Sequence, residues 1–187
     1  SWWGGKTGNT EAYSDLPPLV PSDGAANNAK GNYPLGEYEN GFELVWPIHD
    51  GYSYYIQDNN THTEGELGVI CIGSTRPASH VWKNATNKHF FEPTDEYKGD
   101  FARMYLYVVC AYEGNLTWQT TENTMFSNGN SNYTVIADWA KALLLKWHRQ
   151  DPVSDKERAR NNAVESIQHN RNPFIDYPEL AEYIWGN

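Results

Sequence analysis

Histidine is the side chain best suited to act as a general base near neutral pH, and this chain carries six. His49, His62 and His89 have no clustered partners at metal-ligand spacing. His148, on the same helical stretch as Trp139 and Trp147, reads as a core or capping histidine. His169 stands two residues before Arg171, within reach of a phosphate, and its plain reading is a surface histidine. Asp100 and Arg103 lie three apart in a helical pattern, which puts them on one face as an ion pair. Asn170, Arg171 and Asn172 precede Pro173 in a segment that reads as a polar turn satisfying its own backbone. Cys71 and Cys110 match no metal motif, so they are either one disulfide or two buried free thiols.

Several elements must position these groups. Residues 1–40 are rich in Gly, Pro and Asn and read as loop, with a short helix in DGAANNAKG. Residues 41–90 read as short strands: FELVWPI, GYSYYI and GVICIG are β-rich runs broken by Asp-Gly and Asn-Asn turn signals. From about residue 92 the apolar period becomes helical. Phe101, Met104, Tyr105, Val108, Val109 and Tyr112 form one face, and Trp139, Ala140, Leu143, Leu144 and Trp147 form another. Ser154 and Glu157 make a capping box that starts a third helix after Pro152, and Pro173 is expected to end that region. PELAEYIW reads as a last helix stopping at Gly186. Strands followed by helices predict a mixed α+β fold over residues 1–187, read as a single domain with a helical part at 91–187.

The chain has 187 residues, enough for a sizeable core, and its eight Trp and thirteen Tyr make that core aromatic. Mean hydropathy is −0.74, from the many Asn, Gly, Ser and Thr residues. No apolar run approaches the ~20 residues of a membrane-spanning helix. The net charge of −10 argues against a broad phosphate-tracking surface, but not against a small basic cleft on an acidic body. Asn-x-Ser/Thr triplets occur at Asn59, Asn84, Asn115 and Asn132, as expected by coincidence in so Asn- and Thr-rich a chain. The sequence starts at Ser1 without Met, which reads as a processed product.

Three stretches carry a specific resemblance. They are FEPTDEYKGDFARMYLY (91–107), LLLKWHRQDPVSDKERARNNAVESIQHNRNPFIDYPELAEYIW (143–185), and SWWGG followed by VPSDGAANNAKGNYPLGE (20–37). Together, in this order, they resemble the endonuclease I family, more loosely between residues 41 and 90.

The resemblance implies a ββα-metal (His-Me finger) site. There a histidine acts as general base on water, while a glutamate and an asparagine hold one divalent ion, usually magnesium, on the scissile phosphate. It implies a secreted, periplasmic or cell-surface nuclease acting on DNA or RNA with little sequence preference. The metal asparagine corresponds to Asn27, with Asn28 the adjacent alternative. Lys30 stands where the family often has Arg, as a phosphate contact, and Lys6 is a weaker candidate for that role. Asp100, Arg103, Asn170, Arg171 and Asn172 would brace the metal-binding element from behind.

Two departures accompany the match. The family's Glu-His pair is expected just ahead of SWWGG, upstream of Ser1, so this chain by itself is expected to lack the general base and to depend on a separate or longer N-terminal part. The family's histidines after an Asp-Leu are replaced here by Pro17-Pro18 after Asp15-Leu16, and proline neither binds metal nor transfers protons. A non-catalytic nuclease-fold binding protein is therefore the alternative. Ser79-His80-Val81-Trp82 echoes a Glu-His-Val-Trp active-site string, with Ser in place of Glu and on the wrong side of Asn27, and it makes His80 a remote candidate for the base.

Overall fold

The computed structural model describes residues 14–19, 27–28, 30–39, 43–46, 79–86, 88–113, 125–126 and 135–186. The chain divides into two compact units: Ser22–Asp95, and Ser1–Pro21 together with Glu96–Asn187.

Ser22–Asp95 holds an antiparallel sheet in the order β1 (Glu43–Trp46), β2 (His80–Lys83), β3 (His89–Glu92). β1 bears out the expected FELVWPI strand, while GYSYYI and GVICIG lie outside the described residues. A bulge between Leu44 and Trp46 shifts the pairing of β1 with β2. The turn between β2 and β3 is built by Asn84, whose amide oxygen accepts the Thr86 N–H at 3.0 Å and the Lys88 N–H at 2.9 Å. This is the local hydrogen bonding that makes Asn a turn residue. Val81, Trp82 and Phe91 are buried on the sheet with Leu35, which bridges to Phe91 in parallel.

The other unit is helical: α1 (Lys98–Ala111), α2 (Asp138–Gln150), α3 (Asp155–Gln168), α4 (Pro173–Asp176) and α5 (Leu180–Trp185); in the chain a 3-10 turn, Asp95–Tyr97, which begins on the last residue of the first unit, precedes α1. The expected α+β content is thus observed. α1 differs from its expected single face. Every residue from Ala102 to Val109 is buried, including Arg103, so it is an interior helix whose polar groups must be satisfied inside. α2 buries Ala140, Leu144, Trp147 and His148, an i, i+4, i+7, i+8 stripe, and leaves Trp139 exposed. α1 packs along α2, and Gly99 lets the start of α1 meet the residue that follows α2: a Cβ there would overlap the Asp151 carbonyl oxygen.

The Ser154–Glu157 capping box is formed as expected. Pro173 differs from expectation. α3 already ends at His169, which adopts φ 61° in the left-handed region, and Pro173 begins α4 as its first residue. The reason is that proline's missing N–H is harmless in a first turn, and Asn172 caps that turn by accepting the Phe174 N–H at 3.0 Å. α5 stops at Gly186, as the sequence indicates. Among the described residues, no helix is long and apolar enough to cross a membrane.

Candidate functional site

Asn27 and Lys30 stand on one short helical turn in the Ser22–Asp95 unit. That turn closes with the Gly31 N–H donating to the Asn27 carbonyl at 3.1 Å and with Gly31 at φ +46°, the left-handed C-terminal position that glycine fills without a Cβ clash. The chain then runs onto β3. The Phe91 N–H donates to Pro34 O at 2.9 Å, and the Gly36 N–H donates to Phe91 O at 3.1 Å. Gly36 is required for this approach, because a Cβ would come within 2.7 Å of the Phe90 ring. The sheet therefore fixes the turn by backbone bonds.

On this turn Asn27 and Asn28 are exposed, and Lys30 is half-buried. The Lys30 ammonium lies 5.9 Å from the centre of the Phe91 ring and donates weakly to Tyr33 O at 3.4 Å. Burial lowers its pKa to about 8. A cation held at a disfavoured charge is what an anionic ligand would stabilise. Tyr33 stacks on His89 with ring centres 4.9 Å apart. Asn27 offers one hard amide oxygen of the kind magnesium takes. Among the described residues no group of three or more His, Cys, Asp or Glu side chains could hold a metal ion. His80 opens β2 opposite Glu92. Lys6 lies outside the described residues.

The residues expected to brace the site fall in the helical unit, in two polar clusters that bury Arg103 and Asn172. The first centres on Arg103, which is fully buried. Its Nε and Nη2 donate to the two Glu157 oxygens at 2.6 and 2.7 Å, and its Nη1 donates to Asp151 O at 2.8 Å. The expected Asp100–Arg103 pair is present at 3.3 Å. His148 completes the cluster. Its Nε2 lies 2.9 Å from Pro178 O and its Nδ1 3.5 Å from Arg103 Nη1, so the neutral tautomer with a proton on Nε2 satisfies both contacts. Burial, then Arg103, lower the His148 pKa. Burial, then the neighbouring Glu157 carboxylate, push Asp100 up to about 7. His148 is thus the core histidine its sequence context indicates.

The second cluster joins α1 to the segment after α3. Asp15 is buried; its Oδ2 accepts the Tyr107 and Tyr112 hydroxyls, each at 2.6 Å, and its Oδ1 accepts Gln168 Nε2 at 3.2 Å and Asn170 Nδ2 at 3.1 Å. Asn172 Nδ2 donates to Arg103 O at 3.1 Å, and the Asn172 N–H donates to Asn161 Oδ1 at 2.9 Å. Arg171 clamps α3 to α4 through Glu165 and Asp176, each at 2.6 Å. Pro17 and Pro18 form a turn closed by the Leu19 N–H on Leu16 O at 3.0 Å, and Arg160 donates to the carbonyls of Leu16, Pro17 and Leu19. Asp15-Leu16-Pro17-Pro18 is therefore a structural anchor on the helices. The sequence carries no direct signal for the burial of Asp15 or for the Tyr33–His89 stack. Cys110 is a half-buried free thiol, pushed up to about 11 by burial, and Cys71 lies outside the described residues.

Residues 51–179 match the family model described as Endonuclease I. The match covers more than half of the chain, and the chain belongs to the endonuclease I family. Over 97 residues it is 46% identical to a protein named extracellular ribonuclease from Bacillus subtilis (strain 168), and over 97 residues 47% identical to one of the same name from Bacillus amyloliquefaciens. In each case the aligned region is 51% of this chain and 32% of the relative, so the likeness spans about a third of the relatives' length. No solved structure matches the chain.

Proposed function

We propose that this chain is part of a secreted nuclease that hydrolyses phosphodiester bonds of RNA or DNA with little sequence preference, using one divalent ion, magnesium. The family match across residues 51–179 carries the reading. The two relatives named extracellular ribonucleases support both the substrate class and the extracellular setting. In the ββα-metal arrangement that the family resemblance implies, Asn27 would be one oxygen ligand of the metal. The bound ion supplies charge stabilisation on the leaving oxygen.

The chain's own residues have simpler tasks. Lys30 neutralises a phosphate of the strand as a point charge, and the β3 backbone holds the turn that carries Asn27 and Lys30. The buried Arg103 and Asp15 clusters keep the helical unit rigid.

The test is to express the complete open reading frame encoding this chain and to measure cleavage of total RNA and plasmid DNA with magnesium and with excess chelator. Chelator-sensitive cleavage of either substrate is expected, reduced by Asn27→Ala at least as much as the roughly 10- to 100-fold that loss of a residue supporting a metal ligand costs. Absence of cleavage of both, by a folded full-length protein, would remove the reading.

A further inference from the structure

β3 presents two side chains on one face. His89 and Phe91 are two residues apart, so they point the same way, about 7 Å apart along the strand. Each carries a group from the Asn27–Tyr33 segment. The Lys30 ammonium lies over the Phe91 ring, and the Tyr33 ring stacks on His89 at 4.9 Å with 14° between the planes. Phe91 is buried and Lys30 half-buried, whereas Tyr33 is 38% exposed. One face of the Tyr33 ring lies against His89, which sets the plane of the ring. It stands a short distance along the same strand from a cation that forms no ion pair among the described residues.

A rigid aromatic face beside a lone cation is the arrangement by which proteins hold single-stranded nucleic acid: the base stacks and the backbone phosphate takes the charge. We propose that Tyr33, braced by His89, is a stacking platform for an unpaired nucleobase of the substrate strand, adjoining the phosphate that Lys30 takes. The proposal rests on the nuclease reading and adds to it a preference for unpaired bases over duplex at this subsite. Stacking tolerates any base, because every base has a π face, so the platform gives grip without sequence discrimination.

Binding of fluorescein-labelled oligodeoxythymidylate and of an abasic oligomer of equal length, read by anisotropy in chelator to prevent cleavage, tests the idea on the full-length protein. The wild type should bind the thymidylate strand about tenfold more tightly than the abasic strand. Tyr33→Leu should bring the thymidylate strand to the abasic level and leave abasic binding unchanged, whereas Tyr33→Phe should retain the preference. Lys30→Ala should weaken both strands alike. Equal binding of the two strands by the wild type, a comparison needing no variant, would overturn the platform and leave the nuclease reading standing. Equal weakening of both strands by Tyr33→Leu would do the same. Failure of the wild type to bind either strand would overturn the platform, while the cleavage assay with magnesium decides the nuclease reading separately.

Discussion

Arg103 and Glu157, from α1 and α3, meet through two parallel hydrogen bonds of 2.6 and 2.7 Å inside the helical unit. The same Glu157 accepts the Ser154 N–H at 2.9 Å as the capping box of α3. One carboxylate thus starts a helix and neutralises a buried guanidinium on another.

Removing the cation strands that carboxylate. Arg103→Met should destabilise by about 3–5 kcal/mol, because Glu157 would stay buried without its partner. Arg103→Lys should cost nearly as much, since an ammonium cannot reproduce the two-pronged contact. Urea unfolding at neutral pH measures both, and a loss below about 1 kcal/mol for Arg103→Met would show that the pair contributes little.

Asp100 sets a pH dependence. Its folded pKa, about 7, lies above its unfolded value near 3.8, so between these values the folded state holds more proton and stability falls as pH rises. The charged groups around it are Arg103 on α1, Asp151 after α2, and Glu157 and Arg160 on α3. His148 acts oppositely: its pKa is lowered from 6.5, so its contribution is lost as pH drops below that value. Asp100→Asn removes only the first slope. The variant should be more stable than wild type by about 1–2 kcal/mol at pH ~8 and close to it at pH ~5, as followed by thermal melting at each pH. Parallel pH profiles for the two proteins would contradict the assignment.

Gly99 inverts the usual helix rule. Alanine is the better helix former by about 1 kcal/mol. Here its methyl group would overlap the Asp151 carbonyl oxygen and disturb the Gly99 N–H bond to Asp151 Oδ2, 2.8 Å long. Gly99→Ala should therefore lower stability by about 2 kcal/mol, within the cost of overpacking a tight contact. An unchanged or raised melting temperature would show that α1 and the end of α2 can separate at little cost.

Asp15 accepts four hydrogen bonds with two oxygens. Asp15→Asn turns one acceptor into a donor facing either two hydroxyls or two amides, at about 2–3 kcal/mol. Tyr112→Phe removes one partner and leaves the carboxylate with three, so it should cost about 1 kcal/mol. Denaturant midpoints for the two variants should fall in that order.

Local signals in the sequence sufficed for the elements with local causes. The Ser154–Glu157 box, the Gly186 stop and the Asp100–Arg103 spacing depend on residues three or four apart, and each appears where its spacing puts it. The motifs KGDFAR, DPVS, RNPFIDYPE and IWG, in this order, carry the family resemblance. Other features depended on distant partners. Pro173 reads as a stop until Asn172, bonded to α1 and to Asn161, makes it the start of α4. A buried Arg103 looks like a surface helix charge until α3 brings Glu157 to it from 54 positions away. Asp15 looks like a loop acid until Tyr107 and Asn170 close over it, and Tyr33 meets His89 only because β3 bonds to Pro34 and Gly36. The physical reason is the same throughout: caps and helix periods are interactions within one turn, whereas desolvation and the partners that offset it come from chain segments that only folding brings together.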